Sequence, residues 1–463
     1  QSRLYTIILA SLLLLFGWGS TSSSLQAQGV IPASEQKALL ELYNQCGGTG
    51  WADGYNWRAA SGPDKYEGVF IDNGHVQGIF LDKVGLTGQL PASLFTAFPE
   101  LRLLGLSNNK LSGPIPEALG EMTKLEVLML SSNLWTGQLP NLDKLVNLKI
   151  LHLANFYNKD AKGNVISEVT GTLPDISKMP QLKYIDASYS NLSGQLPEQI
   201  GLCRNLQVLE LSFNQLTGSI PASISECADL QILSVQNNKM SGEIPDLSTL
   251  VNLGKPLELG LGVTEPGRLY LNSNQFTGPF PESVVMLPRL QRFSCANNKL
   301  TGPLPQDLGT MESCEAFFAD HNQFTGPLPQ QLPTKLWYLD LGYNQLTGSI
   351  PATWQGATTL GKISLRNNNL SGSVPAIYKK LENLDMIDIR SCRFSFADFK
   401  AWGAFIKNKD CIFRFGMQQA YSELHKESVK SGSDVTFDAT YPGTLIGDEH
   451  YRWYNNMTTL QPV

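Results

Sequence analysis

"LSFNQLTGSIPASI", residues 211–224, returns almost unchanged as "LGYNQLTGSIPATW" at 341–354. Its recurring Asn214 and Asn344, Gly218 and Gly348 are not letters that a hydrophobic core alone demands. Working outward from this pair, the glycine of an L-x-G-like tripeptide recurs at 88, 113, 137, 171, 194, 218, 242, 278, 302, 326, 348 and 372. Two steps are long, 34 and 36 residues; the others fall between 22 and 25. A fixed period near 24 is the signature of a solenoid, in which one turn cannot bury its own apolar stripe and its neighbours must do so. The full unit, L-x-x-L-x-L-x-x-N-x-L-x-G-x-I/L-P, is filled by Leu206, Leu209, Leu211, Asn214, Leu216, Gly218, Ile220 and Pro221. A divergent unit at Leu384, Ile387 and Ile389 brings the expected number to about thirteen turns.

Each letter has a physical task. L-x-L points alternate side chains inward from a short strand, and stacked strands make a parallel sheet. The asparagine sits where the chain turns away, and a buried amide must find partners, which the turns above and below supply. This predicts a structural ladder through Asn109, Asn133, Asn214, Asn238, Asn274, Asn298, Asn322, Asn344 and Asn368. Glycine permits the tight path after it, and proline fixes an extended backbone on the far side. The repeated polar letters therefore read as scaffold, not as a duplicated active site.

The stretch "LSGPIPEALGEMTKLEVLMLSSNLWTGQLP" closely resembles the plant-type leucine-rich repeat of receptor kinase ectodomains and polygalacturonase-inhibiting proteins. The resemblance covers about residues 76–392. It implies an α/β solenoid: a right-handed arc with a parallel sheet on its concave side and a second row of short strands beside it. It also implies function by binding of proteins, peptides or glycans on the concave face.

The flanks differ in character. Arg3, an apolar run from Ile7 to Phe16 and "GSTSSSLQA" read as a secretory signal peptide over 1–27, too short to span a bilayer. In 28–75, Ser34 is the expected N-cap of a helix with Ala38, Leu39, Leu42 and Tyr43 on its apolar face. Trp51, Trp57, Tyr66, Val69 and Phe70 follow, and the whole resembles the N-terminal cap of leucine-rich repeat proteins, in the form found on bacterial surfaces because only Cys46 is present. Phe394, Phe396, Phe399, Trp402 and Phe405 suit a C-terminal cap over 393–415. Alternation at Val435, Phe437 and Ala439, then Tyr451 and Trp453, resembles the start of an immunoglobulin-like sandwich in 416–463. The long steps mark insertions, at 156–168 and 254–267, expected to project from an edge. The first has Asn158, Asp160 and Gly163 at calcium-loop spacing, but Lys162 and Glu168 break the pattern.

Chemistry is sparse. The formal net charge of −6 and the lack of a basic block argue against nucleic acid. The five histidines (75, 152, 321, 425, 450) have no metal-ligand spacing, and no nucleophile or phosphate-loop motif is present, so no enzyme, cofactor or metal is expected. Cys203 and Cys227 hold one position in consecutive turns, which allows either a disulfide or two small buried side chains; Cys392 and Cys411 are a second possible pair. Cys295 and Cys314 replace inward leucines.

The variable letters flanking the inward leucines point to the concave face. They group Tyr184, Asp186, Tyr189, Glu210 and Phe213 in one cluster. Tyr270, Phe318, Asp320, His321, Trp337, Tyr338, Asp340 and Tyr343 form another. Aromatics beside acids suit a protein, a peptide or a sugar ring. The expected function is a non-catalytic, secreted or cell-surface binding or adhesion module. A structural spacer of an envelope or matrix protein is the first alternative, and an inhibitor of a wall-degrading enzyme the second. No transmembrane span is expected, and the oligomeric state is not readable.

Overall fold

The computed structural model of the protein describes residues 31–55, 57, 65–155, 168–258, 264–375, 381–394 and 412–414. The expected signal peptide, the loop 156–167, most of 393–415, the stretch 416–463 and Cys411 lie outside these residues. Among them one 15-stranded sheet runs the length of the molecule. Thirteen parallel strands follow one another from His75–Phe80 to Met386–Asp388, which makes about twelve coils between first and last. The strands stand in direct register, Leu209 beside Leu233 and Leu339 beside Ile363. Their central residues, Ile185, Leu209, Phe293 and Phe317 among them, are fully buried. All belong to one continuous core that extends from Ile31 to Phe394. Each turn thus exchanges its water-exposed stripe for contact with the next, at roughly 1.5–3 kcal/mol per buried Leu or Ile before entropy.

A second row of short parallel strands lies along the coil: Thr87–Gly88, Lys110–Pro114, Leu134–Gln138 and Glu168–Thr170 in one group, Thr301–Pro303 to Asn369–Leu370 in another. Opposite the long sheet, 3-10 turns close the coils. Pro116, Pro221 and Pro351 precede three of them with extended backbone (φ −64°, −63° and −67°). Between the rows sit the asparagines. Asn238 Nδ2 donates to the carbonyls of Leu211 (3.0 Å) and Val235 (2.9 Å), and its Oδ1 accepts from Leu216 N at 2.9 Å. Asn109 makes six such bonds: it accepts from Val84, Gly85 and Leu86 N and donates to the carbonyls of Leu81, Leu106 and Ser107. The bonds to Val235, Leu106 and Ser107 close the asparagine's own turn, and the others join it to the turn before. At the equivalent place Ser190 substitutes, its Oγ donating to Leu153 O at 3.0 Å.

Three details depart from the sequence reading. The helix (α1, Ala33–Gln45) begins at Ala33 with Pro32 at its N-cap, not Ser34, and no side chain caps it. Proline has no side-chain acceptor to offer the first-turn amides; its carbonyl takes the first helical bond, from Gln36 N at 3.1 Å. Glu35 instead turns inward, its carboxylate 2.6 Å from His75 Nδ1 and accepting from Val76 N at 2.8 Å, which ties α1 to the first long strand. Second, a short strand, Val69–Asp72, pairs antiparallel with His75–Phe80 across Asn73 and Gly74, both with left-handed backbone (φ 50° and 75°). That is the asparagine–glycine hairpin turn. Third, Ile412–Arg414 adds another parallel strand beside Met386–Asp388.

The six described cysteines are free and buried. Cys203 Sγ donates to Ile176 O (3.0 Å) and Cys227 Sγ to Ile200 O (3.5 Å), each spending its S–H on the preceding turn. Both are buried packing groups with no disulfide between them, and burial pushes their thiols up to about 11 and about 12.

Candidate binding surface

Side chains that alternate with the buried leucines cover the open face of the long sheet, the concave face of the expected arc. The late turns carry the denser group. Tyr338 and Asp340 flank buried Leu339 on one strand, and Ala316 and Phe318 flank Phe317 on the strand before. Phe318 meets Tyr338 edge to face at 4.9 Å, and Trp337 meets Tyr338 at 6.0 Å. Gly361 in the following turn makes room for the indole: a Cβ there would stand 2.5 Å from Trp337 Nε1. Lys362 Nζ lies 4.8 Å from the Trp337 ring centroid, a cation over a π face. On the other side of the strand, His321 and Tyr343 stack at 4.0 Å, and the Arg366 guanidinium caps the stack 5.0 Å from the Tyr343 ring. Trp337 is 46% and Tyr343 39% exposed. Tyr270 stands apart, three strands before Tyr338, with the Arg268 guanidinium 5.9 Å away.

The acids behave differently from the aromatics. Asp340 is 9% exposed, and its carboxylate accepts from Gly342 N at 3.0 Å. It is therefore a brace under the rings, not the open contact expected of it. Burial first, and then the charge of Asp320, push its carboxyl up to about 6. Asp320 itself is held by His321 Nδ1 at 2.7 Å. The Asp340 shift fixes the sign of a pH effect. A carboxyl with a folded value above its unfolded value of about 3.9 binds its proton more tightly in the fold. Its contribution is complete below about 3.9 and is lost as pH rises through about 6. Asp340→Asn keeps an acceptor for Gly342 and cannot ionise. It is expected to gain stability over the parent, on the order of 2 kcal/mol, as pH rises from 4 to 8. Parallel denaturation curves for the two proteins at every pH would exclude this.

In the earlier cluster, Tyr189 and Phe213 stack at 4.1 Å, and Phe213 is 38% exposed. Asp186 and Glu210 are buried and already engaged, again contrary to the reading of open contacts. Asp186 Oδ2 stands 3.5 Å from His152 Nε2, and its other oxygen accepts from Ser188. Burial works to raise its carboxyl, but His152 and Ser188 hold it below the usual range. Glu210 accepts from Arg268 at 3.0 Å and from Ser212 at 2.6 Å; burial and the Asp186 charge raise its carboxyl. Tyr184 links two apolar patches on the same face: Leu103, Val127, Met129 and Ile150, then Val208, Ile232 and Leu257. Sequence reasoning missed both patches, although a column read through Leu103, Val127 and Ile150 spells the first. Leu257 also corrects the second insertion. Its hairpin, Leu257–Glu258 with Thr264–Glu265, does not simply project from an edge, because Leu257 packs back on Val208 and Ile232 of the sheet face.

A leucine-rich repeat family model matches residues 100–122, 205–227 and 335–357. In Arabidopsis thaliana, pollen receptor-like kinase 2 is 32% identical over 145 residues, 31% of this chain and 21% of that protein. Receptor-like protein 41 of the same plant is 35% identical over 147 residues, 31% of this chain and 15% of that protein. Among solved structures, PEPR1–AtPEP1 superposes with a TM-score of 0.67 at 27% identity, over 84% of this chain and 52% of that one. The plant peptide hormone receptor RGFR1 in complex with RGF2 gives 0.59 at 26%, over 72% and 57%. The chain thus spans about half the length of these solved chains and about a fifth or less of these curated relatives. The matched segments are leucine-rich repeats, and the parallel-strand coil is similar in fold to these solved chains.

Proposed function

We propose that this leucine-rich repeat chain is a non-catalytic, extracellular binding module that holds a peptide ligand on the sheet face of its late turns. The observation that carries the reading is the group of Phe318, Trp337, Tyr338 and Tyr343, with Lys362 and Arg366 laid over the rings. The repeat does not require aromatic residues at these positions, and two of the rings stay open to solvent. Rings with cations laid over them give an extended peptide apolar anchors and donors for its carbonyl and carboxylate groups. Similarity to ectodomains whose structures were solved with PEP1 and RGF2 supports a peptide in particular. Glycan and whole-protein ligands are the wider class from which this choice is made.

The test is selection of binders from a display library of extended peptides, followed by substitution. Phe318→Ala and Tyr343→Ala are each expected to weaken a selected peptide about 5- to 30-fold, as loss of an aromatic anchor does. Lys110→Ala, in the second strand row, should leave it unchanged. Parent-like affinity in both aromatic variants would move the ligand off this surface.

A further inference from the structure

The residue just before each ladder asparagine has left-handed backbone in turn after turn, with φ between 52° and 57° from Phe213 to Tyr343. Asparagine tolerates that conformation and Asn237, Asn297 and Asn367 use it, but a bulky ring there is costly. Four turns nevertheless place a ring in this row: Tyr189 and Phe213, then His321 and Tyr343. Each pair stacks along the axis, at 4.1 and 4.0 Å. The free face of Phe213 therefore looks toward the following turn, and that of His321 toward the preceding one. Three turns separate them, and the two faces stand about 19 Å apart at four strand spacings of ~4.8 Å.

The floor between these walls is neutral and rich in amides. It carries Gln236, Asn237, Asn272, Ser273 and Asn297, whose side chains take no hydrogen bond among the described residues. Their backbones are committed to the coil: Phe213 N donates to Gln236 O, Asn237 N to Asn272 O and Asn297 N to Asp320 O, all at 2.9 Å. The side-chain groups are thus carried on a fixed backbone, two, two and one to a turn, with their donors and acceptors unspent. The charged neighbours Lys239 and Lys299 lie beyond the ladder asparagines, next to the second strand row.

We propose that this rim is a second binding site, for a short neutral oligosaccharide. Aromatic faces at both ends stack on the apolar faces of pyranose rings. Amides that donate and accept side by side match neighbouring sugar hydroxyls. A peptide would need pockets for alternate side chains, and a charged polymer would need countercharge; the floor supplies neither. The repeat imposes this backbone in every one of these turns, so what calls for a purpose is the choice of a bulky ring at Phe213 where other turns use an amide or a hydroxyl.

The full chain is titrated calorimetrically with cellohexaose, mannohexaose and xylohexaose, with oligogalacturonate and chitosan oligomers as charged comparisons. At least one neutral oligosaccharide is expected to bind. Phe213→Ser and Asn272→Ala should each weaken it about tenfold or more. Serine at 213 is the residue that Ser132 and Ser273 already supply in this row, so the backbone accepts it. Phe318→Ala should leave the sugar untouched, which separates this site from the peptide site. Failure of every neutral oligosaccharide to bind, or equal binding by the two rim variants and the parent, overturns the proposal. So does binding of a charged oligomer alone.

Discussion

Trp354→Ala is expected to lower the unfolding free energy by about 3–5 kcal/mol, the range for removal of a buried aromatic. The indole is 1% exposed and belongs to a 3-10 turn, Ala352–Gly356, that closes one coil opposite the long sheet. Its Nε1 donates to Pro329 O in the previous turn at 2.8 Å. The substitution therefore opens a cavity and orphans a carbonyl at once. The twin of this stretch supplies the control, since Ile224 holds the same place and is fully buried there. Trp354→Ile restores part of the volume but not the hydrogen bond. It should fall between parent and alanine variant, with about 1–3 kcal/mol lost to the unpaired carbonyl and residual gap. Denaturant midpoints that rank the three proteins otherwise would show that this turn is closed by something other than the indole.

Asn109→Ala should cost about 3 kcal/mol, the upper end for stranding buried polar groups. The amides of Val84, Gly85 and Leu86 and the carbonyl of Leu81 lose their partner, while Leu106 O keeps Asn133 Nδ2 and Ser107 O keeps Lys83 N. The bonds reach from the second turn back into the first, so the loss should appear as early loosening of residues 76–106 in hydrogen exchange. Lys110→Ala, next in the chain but exposed, should shift stability by less than about 0.5 kcal/mol. Equal midpoints for the two variants would mean that packing alone holds the coils in register.

The coil was legible because every turn must solve the same burial problem, and the same letters solve it each time. The strands at Val208–Glu210 and Tyr338–Asp340 fall where the leucine spacing puts them. The aromatic positions on the sheet face were equally readable, since alternation fixes which side a residue takes. Burial on that face was not readable. Asp186, Glu210 and Asp340 were read as open because carboxylates usually are, yet each is enclosed by neighbours from adjacent turns that no local pattern announces. The hairpin at Leu257–Glu258 was located but not its landing place, because one leucine in a polar insertion does not name its partner. Ile412–Arg414 was overlooked although it follows Met386–Asp388 by 26 residues, close to the repeat period.

The left-handed backbone before each ladder position also governs how such a surface can change over generations. Among its occupants are Asn108, Ser132, Tyr189, Phe213, Ser273, His321 and Tyr343, and none of the described residues there is β-branched. Valine, isoleucine and threonine meet the steepest steric penalty at positive φ. Apart from Lys83 in the first turn, the rim is thus written in a restricted alphabet of amides, hydroxyls and flat rings. Drift at these sites exchanges one hydrogen-bonding or stacking group for another and is closed to branched aliphatics, so a lineage can re-specify what the rim holds without turning it greasy.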